Sequence, residues 1–316
     1  NADIYQEVRH NILDYRYTMP STTGLESPQI GNVGKARSRG IDLSGKIQHA
    51  FSPDFWMILN GTFTYNKAVF KEIEEATNKP EWQRKKGHEL SQAIGYIAEG
   101  LFRDQAEIDN SPRQGGDVMP GDIRYRDLNN DGVIDVNDAT YIGFPETPRV
   151  IYGFSGFFNF KNFEFSFAFQ GSGKRAFFMN PMSIGPFENN RAMLKAIYDD
   201  HWSEDNMKER PFWPRLSTQS IDVHNPQENW GTGAEIRKST YFMRECSFLR
   251  CTSIELAYNV SQSLLRKLRM QSVKFYARVN NPFLITDFKV WDVELGNSGF
   301  NYPIQRTWSV GLNVSF

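Results

Sequence analysis

The chain has 316 residues and a formal net charge of −1, with 36 Lys and Arg against 37 Asp and Glu. This balance gives no electrostatic case for a nucleic-acid partner. Aromatic residues make up 14% of the chain, yet its mean hydropathy is only −0.54. A membrane β-barrel with an aromatic outer face and polar interior and loops combines both properties. No apolar run of about 18 residues is present, so we predict no transmembrane helix.

The chain opens on a strand pattern at 3–17 and shows no signal peptide. An outer-membrane protein is secreted, so we expect that a signal was removed or that this is the C-terminal piece of a longer chain. Between Gly40 and Asn66, apolar and polar residues alternate on both sides of a tight turn at Ser52-Pro53-Asp54. This segment is predicted to be a β-hairpin.

A second hairpin, which turns at Lys161-Asn162, carries a dense aromatic alternation. The residues between the aromatic ones on its return strand include Glu164 and Gln170. Such a pattern would make an odd soluble core, but it suits a lipid-facing band. The aromatic set is Tyr152, Phe154, Phe158, Phe160, Phe163, Phe165, Phe167 and Phe169.

Three further strand patterns lie at 241–258, 273–280 and 306–316. The last one alternates without error, since every second residue from Trp308 to Phe316 is apolar and the others are small or polar. A final strand that ends on an aromatic residue, with its apolar side toward lipid, is typical of outer-membrane barrels. We therefore predict that Phe316 is the signal that the assembly machinery reads.

The connections between these patterns alternate in length. Short ones lie near 52, 161 and 261–271, and long ones follow residues 17, 66, 173 and 284. Outer-membrane barrels have short periplasmic turns and long extracellular loops. We therefore predict an all-β, transmembrane antiparallel barrel with a periplasmic C-terminus and long extracellular loops at about 67–149 and 172–239. The alternative is a soluble β-sandwich or carbohydrate-binding module, since soluble sheets alternate as well.

The segment 127–138 has the spacing of a calcium-binding loop. Oxygen-bearing side chains fall at positions one, three, five, nine and twelve, and Gly132 supplies the sharp turn at position six. No helix pattern flanks the loop, so we predict an isolated, structural Ca²⁺ site; the alternative is a polar turn without a metal. The predicted ligands are Asp127, Asn129, Asp131, the Val133 carbonyl, Asp135 and Asp138.

Signals for catalysis are weak. The cluster Asp199-Asp200-His201 ends a helical pattern, where a capping role is far commoner than metal or acid–base chemistry. No nucleophile elbow, phosphate loop or zinc spacing is present, so we predict that the chain is not an enzyme. Three tryptophans of the second long interval could stack on sugars or peptides, or could pack that loop on itself. They are Trp202, Trp213 and Trp230.

Several stretches in combination resemble the SusC/RagA-type TonB-dependent transporters of Bacteroidetes outer membranes. Val290-Trp291-Asp292-Val293-Glu294 matches less well, because the family usually has Gly-x-Asp-Pro-Glu there. The matching stretches are Pro120 to Gly132, Ile142-Gly143, Thr147-Pro148, Ser247 to Arg250 leading into Ile254 to Tyr258, and Pro303 to Phe316.

The resemblance implies that the complete protein is a barrel of about 22 strands, of which this chain supplies roughly the last eight to ten. It also implies an N-terminal plug domain that is not in this sequence. Two protein partners follow from the resemblance. One is a SusD-like surface lipoprotein that lids the barrel, and the other is TonB, which engages the missing N-terminal region.

Two functions of different classes are compatible with the sequence. The first is active import of oligosaccharides or oligopeptides across the outer membrane, as the barrel subunit of a SusCD-like complex. The second is a calcium-braced surface β protein that binds a glycan or peptide without transport. They differ in extraction behaviour, because only the barrel is embedded in lipid and needs detergent.

Overall fold

The structure is a computed structural model that describes residues 1–17, 24, 29–187, 192–217, 238–297 and 299–316. Eight long strands form one antiparallel sheet, and each strand pairs with its neighbours along the chain. The predicted all-β, antiparallel architecture is confirmed. The strands are β1 (Ala2–Tyr15), β2 (Ile30–Ser52), β3 (Phe55–Glu72), β4 (Val150–Phe160), β5 (Phe163–Gly173), β6 (Phe248–Asn259), β7 (Ser272–Thr286) and β8 (Thr307–Ser315).

Three strands, β2, β3 and β7, run at least six residues beyond their predicted ends, β7 to Thr286, and one strand is shorter. β2 begins ten residues before Gly40 and β3 runs six residues past Asn66, so the first long connection after β3 spans 73–149. The strand expected at 241–258 begins only at Phe248. Residues Met243–Glu245 instead pair with Ala176–Phe178 outside the main sheet, and the second long connection therefore spans 174–247.

The strand register gathers the apolar residues on one face of the sheet, which we call the apolar face. One row of directly opposed residues runs Phe55, Phe160, Phe163, Tyr258, Phe275 and Leu312 across six strands. The next row runs Met57, Phe158, Phe165, Leu256, Ala277 and Val310. Several of these side chains are half exposed or more, as Val310 is at 87%, so the sheet does not bury its apolar face within this chain.

The opposite face is polar and its charges pair across the strands. Glu255 stands directly opposite Arg278, whose Nε lies 2.6 Å from the carboxylate. Glu164 accepts hydrogen bonds from Lys274 Nζ at 2.6 Å and from Asn259 Nδ2 at 2.7 Å. An apolar outer face and a polar, hydrogen-bonded inner face are the two sides of a barrel wall.

The connections separate by length, as the sequence predicts. Residues 53–54 and 161–162 make tight turns, and the third short connection contains the helix Gln262–Leu268. The described parts of the long connections carry four small two-stranded sheets, three further short helices and three 3₁₀ turns. The sheets pair Ala93–Gly95 with Thr140–Ile142, Ala98–Leu101 with Ile123–Tyr125, Ala176–Phe178 with Met243–Glu245, and His201–Trp202 with Trp213–Arg215. The helices are Gln105–Asp109, Pro181–Ile184 and Lys195–Asp199. The 3₁₀ turns are Glu81–Gln83, Val136–Asp138 and Val293–Leu295.

The buried hydrophobic core lies among the long connections and not under the sheet. Its members come almost entirely from residues 96–139, 177–246 and 288–293. Backbone hydrogen bonds join the first two groups: the amide of Tyr96 donates to the carbonyl of Lys238, and the amide of Thr240 donates back to Tyr96, each at 2.9 Å. The loops therefore form one packed layer. Among the described residues, no helix has both the length and the apolar character needed to cross a membrane.

Substitutions at two neighbouring residues of β5 test which face meets lipid. An arginine at Phe165, on the apolar face, should reduce stability by about 2–4 kcal/mol near the bilayer centre. An arginine at Ser166 should cost much less, because Ser166 faces the polar side directly opposite Glu255. The measurement is the equilibrium unfolding of the complete protein from lipid vesicles. Equal tolerance at the two positions would contradict the assignment of the faces.

Candidate functional site

A turn at Gly121-Asp122 joins the first and second long connections of the loop layer. Gly121 has φ +89°, and a Cβ there would lie 2.3 Å from the ring of Trp202, so the turn requires glycine. Asp122 is 1% exposed and accepts hydrogen bonds from Arg215 Nε at 2.7 Å, Arg215 Nη2 at 3.3 Å and the Met119 amide at 2.8 Å. The stretch that begins at Pro120 is thus a structural joint.

The electrostatics of this joint follow from its burial. Burial raises the pKa of Asp122 to about 6, against the hydrogen bonds from Met119 and Arg215, which favour the carboxylate. Removing one partner of a buried ion pair leaves the other charge uncompensated, at a cost of about 3–5 kcal/mol. The Asp122–Arg215 pair therefore fixes the position of the two connections relative to each other.

The three tryptophans predicted to stack on a ligand have different positions. Trp213 is fully buried and its ring centroid lies 5.2 Å from that of Phe242, so it is a core residue with no face open to a sugar or peptide. Trp213 therefore fits the alternative, in which the loop packs on itself. Trp202 is half-buried beside Gly121. Trp230 lies outside the described residues.

The histidine cluster makes a local cap, as its position at a helix end indicates. His201 Nδ1 lies 3.0 Å from the carbonyl of Ile197 and 3.1 Å from that of Tyr198, at the end of the helix Lys195–Asp199. Asp200 accepts from the Phe212 amide at 2.9 Å and from Lys208 Nζ at 2.6 Å. These contacts hold the chain reversal between the helix and the following segment.

In the predicted calcium loop, the carboxylates bind backbone amides of the loop itself. Asp127 accepts from the amides of Asn130 at 2.6 Å and Gly132 at 2.8 Å, and Asp131 accepts from Val133 at 2.9 Å. Asp135 and Asp138 form a capping box on the 3₁₀ turn Val136–Asp138. The loop is therefore a series of local side-chain-to-backbone turns.

The side-chain atoms of the predicted metal ligands in this loop are all oxygens, which suits calcium. Across the described residues, no three His, Cys, Asp or Glu side chains converge as a metal cluster. Asp138 is fully buried between the amides of Leu128 and Asp135, and burial raises its pKa. Asp131 is exposed, whereas Asp127 and Asp135 are half-buried. Calcium binding stays a prediction, and the polar turn without a metal stays its alternative.

Arg250 of β6 anchors the last long connection, a role that the sequence patterns alone did not identify. It is 4% exposed and faces the polar side, where Nη2 lies 2.6 Å from Asp292 Oδ1 and Nε binds Glu294. Gln170 of β5 donates to the same Glu294 at 3.2 Å. Both acidic residues belong to the stretch 290–294, so this part of the resemblance marks where the last long connection is anchored to the sheet.

A cleft of about 520 Å³ opens between the segment before β6 and the segment after β7. Arg244 at its edge is half-buried and donates to the carbonyls of Tyr241 at 2.6 Å and Met243 at 3.0 Å, and its guanidinium lies 5.7 Å from the ring centroid of Phe212. A concave surface with apolar walls and convergent polar groups suits a small ligand. The lining residues are Phe212, Arg244, Glu245, Ser247, Asp287, Phe288, Lys289 and Val290.

Replacement of Arg250 should detach the last long connection from the sheet. In an Arg250→Met variant, Asp292 and Glu294 lose their buried cation, so we expect about 3–5 kcal/mol of local destabilisation. Hydrogen exchange of residues 290–296 in the complete protein measures it. The matched control is Arg278→Met, whose side chain is 51% exposed and whose ion pair should contribute only about 0–1 kcal/mol. Unchanged protection of 290–296 in Arg250→Met would show that the ion pairs do not hold this segment.

Comparison with known proteins agrees with this architecture. The family model described as "TonB dependent receptor-like, beta-barrel" matches residues 1–178, more than half of the chain. Among curated proteins, TonB-dependent receptor P26 of Formosa agariphila is 25% identical over 335 residues, which cover 99% of this chain and 32% of that protein. TonB-dependent receptor SusC of Bacteroides thetaiotaomicron is 25% identical over 314 residues, covering 94% and 28%.

Solved structures show the same fold. A structure of the RagAB peptide transporter superimposes with a TM-score of 0.70 at 20% sequence identity, over 100% of this chain and 33% of that one. The RagAB peptide importer in its open-open state gives a TM-score of 0.68 at 20% identity, over 100% and 32%. The chain thus spans about a third of the length of the proteins it matches.

The eight-stranded sheet with one apolar and one polar face, the family match and the structural likeness agree with one another. The relatives are receptors and transporters and not enzymes, as the sequence predicted. The chain belongs to the TonB-dependent receptor family and forms part of the β-barrel of such a receptor.

Proposed function

We propose that the complete protein imports oligosaccharides or oligopeptides across the outer membrane, with this chain as the C-terminal part of its barrel. The observation that carries the proposal is the division of the chain into an exposed apolar sheet face and a packed layer of long loops at one end. A lipid-facing wall combined with a rigid, polar-lined mouth is what selective uptake through a barrel requires.

The proposed orientation places the long loops outside the cell and the C-terminus in the periplasm. It rests on the separation of short turns from long connections at opposite ends of the strands. In this orientation Phe316, which follows β8 and is 79% exposed, lies at the periplasmic end. There it would serve as the recognition signal for barrel assembly.

The proposed partners follow the SusC/RagA-type resemblance. A SusD-like lipoprotein would cover the loop layer, and TonB would act through a region that precedes this chain in the complete protein. One curated relative is named SusC, and the matched structures are of the RagAB peptide importer. Both names are compatible with a barrel that works as part of an import complex.

The substrate class is either a peptide or a glycan, and two features of the loop layer could contact it. The cleft beside Arg244 contains charged groups of both signs that make no ion pair with another described residue. This suits a charged ligand such as a peptide. Trp202, which is half-buried, is the remaining described candidate for stacking on a sugar or peptide.

Uptake by cells distinguishes import from the alternative, a calcium-braced surface protein that binds glycan or peptide without transport. We expect that cells lacking the complete protein, and cells lacking TonB, lose accumulation of labelled oligopeptides or oligosaccharides to the same extent. Membranes washed with alkaline carbonate should retain the protein until detergent is added. Release by the wash, with uptake unchanged in both strains, would favour the surface-binding alternative.

We also propose that the 127–138 loop binds one structural Ca²⁺. Four carboxylates within twelve residues repel one another, and a divalent cation removes that repulsion. The loop also supports its neighbours: Trp82 Nε1 donates to the carbonyl of Asn137 at 2.8 Å, and Gln83 Nε2 donates to that of Val136 at 2.6 Å. Ordering of the loop would therefore extend to the segment around Trp82.

Calcium titration of the chelator-treated complete protein tests this site. We expect Ca²⁺ to slow hydrogen exchange across 127–138 and 80–84, and Asp131→Ala to abolish that effect without unfolding the barrel. Asp117→Ala, which removes a carboxylate outside the loop, is the matched control. If Ca²⁺ leaves exchange in both segments unchanged in the unmodified protein, the motif is a polar turn without a metal.

A further inference from the structure

An unneutralised group of cations lies on the apolar face of the sheet, at its long-loop end. Arg39 of β2 and Lys67 of β3 are directly opposed, and they are the next pair on this face after the opposed Ile41 and Tyr65. Arg37 follows on the same face, two residues further along β2. Lys71 is close enough to Arg37, Arg39 and Lys86 for their charges to repel. We call Arg37, Arg39, Lys67 and Lys71 the cationic patch.

No carboxylate neutralises this patch within the part of the chain that the structure describes. None of its four members forms an ion pair with another described residue, and Arg39 donates only to the amide oxygen of Gln6, at 2.7 Å. Neighbouring acidic side chains already have partners: Glu72 binds Lys35 at 3.1 Å, Glu74 binds Arg16 at 3.4 Å, and Glu89, which bridges to Val69, binds Arg149. The patch therefore lacks a counterion among the described residues. Like charges that face each other across a strand pair are destabilising, and a bound anion would remove that repulsion.

The position of the patch coincides with the edge of the lipid-facing band. On β3 the outward residues from Phe55 to Tyr65 are apolar, aromatic or glycine. Ten residues of a tilted strand span about 25 Å, the height of the apolar band of an outer-membrane barrel. Lys174 Nζ lies 5.8 Å from the ring centroid of Tyr65, a pairing typical of the membrane interface. Lys67 and Arg39 lie immediately beyond the end of the apolar band.

We propose that the cationic patch binds the phosphate groups of membrane lipids in the leaflet on the long-loop side. The patch is outward-facing and continuous with the lipid band, so its neighbours in a membrane are lipid headgroups and not the contents of the barrel. Arginine presents a planar fork of donors that matches phosphate oxygens, and lysine adds point charge. A phosphate placed between Arg39 and Lys67 converts their repulsion into two attractions.

This proposal goes beyond the import function and depends on it only for naming the leaflet. If the long loops are extracellular, the lipid is a phosphorylated lipid of the outer leaflet. The barrel would then hold such a lipid at the base of its loop layer, beside β2 and β3. The test can be made on purified protein, so a failure of import would not affect the result.

Lipid retention by the complete protein in non-ionic detergent tests the site by native mass spectrometry. The probes are diphosphoryl lipid A and the same lipid with its phosphates removed. We expect the unmodified protein to retain the phosphorylated form preferentially, and the double variant R39Q/K67Q to lose that preference by roughly tenfold, since each cation near a membrane surface contributes to anionic-lipid affinity. The double variant removes a repulsive pair, so it should remain folded.

The matched control removes two positive charges away from the patch. K195Q/K208Q changes lysines whose side chains are 84% and 60% exposed in the loop layer, and it should retain lipid like the unmodified protein. Equal retention by R39Q/K67Q and the unmodified protein would overturn the proposal, as would equal retention of the dephosphorylated lipid. Thermal stabilisation by inorganic phosphate alone, to the same extent as by the lipid, would identify a free-anion site instead.

Discussion

The structure depends on the hydrogen-bonded register of its eight strands. In lipid, every backbone amide and carbonyl must be satisfied within the sheet, and a shift of one residue would move each side chain to the wrong face. The register is fixed partly by close cross-strand fits: a Cβ at Gly40 would lie 2.3 Å from the ring of Tyr5, and one at Gly311 would lie 2.4 Å from that of Tyr276. The aromatic rows, the polar inner face and the gathering of long connections at one end all follow from this register.

A sheet that exposes its apolar face to lipid has no core of its own, so the buried core of this chain lies in the loops. Ion pairs of buried or half-buried side chains hold that layer in place. Arg215 binds the buried Asp122, Arg250 of β6 binds Asp292 and Glu294, and Arg149 just before β4 binds Glu89. Each pair ties a connection either to another connection or to a strand end. The loops are therefore a preorganised surface, as contacts with a substrate or lid would require.

The sequence predicted the elements in which period-two alternation is strong and the turn is short. The hairpins around Pro53 and Lys161 and the last strand, Thr307–Ser315, are observed as expected. Residues 30–39 were missed because charged and small residues occupy both faces there, so the alternation is hidden although the strand continues. Stacking and self-packing stayed open for Trp213 because composition does not show whether a loop aromatic is buried, and Trp213 is buried. The ion pair of Arg250 with Asp292 joins residues 42 apart, a contact that no local periodicity reveals.

The distribution of charge over the two faces follows one physical rule. On the inner face, ionised side chains occur within the sheet and pair across strands, as Glu255 does with Arg278. On the outer face of β2–β8, between the row of Phe55 and that of Tyr65, no Asp, Glu, Lys or Arg occurs. Arg39 and Lys67 follow immediately beyond Tyr65, and neither forms an ion pair with another described residue. Because an unpaired charge is costly in hydrocarbon but favourable beside anionic headgroups, this change in charge gives the expected position of the bilayer boundary along the strands.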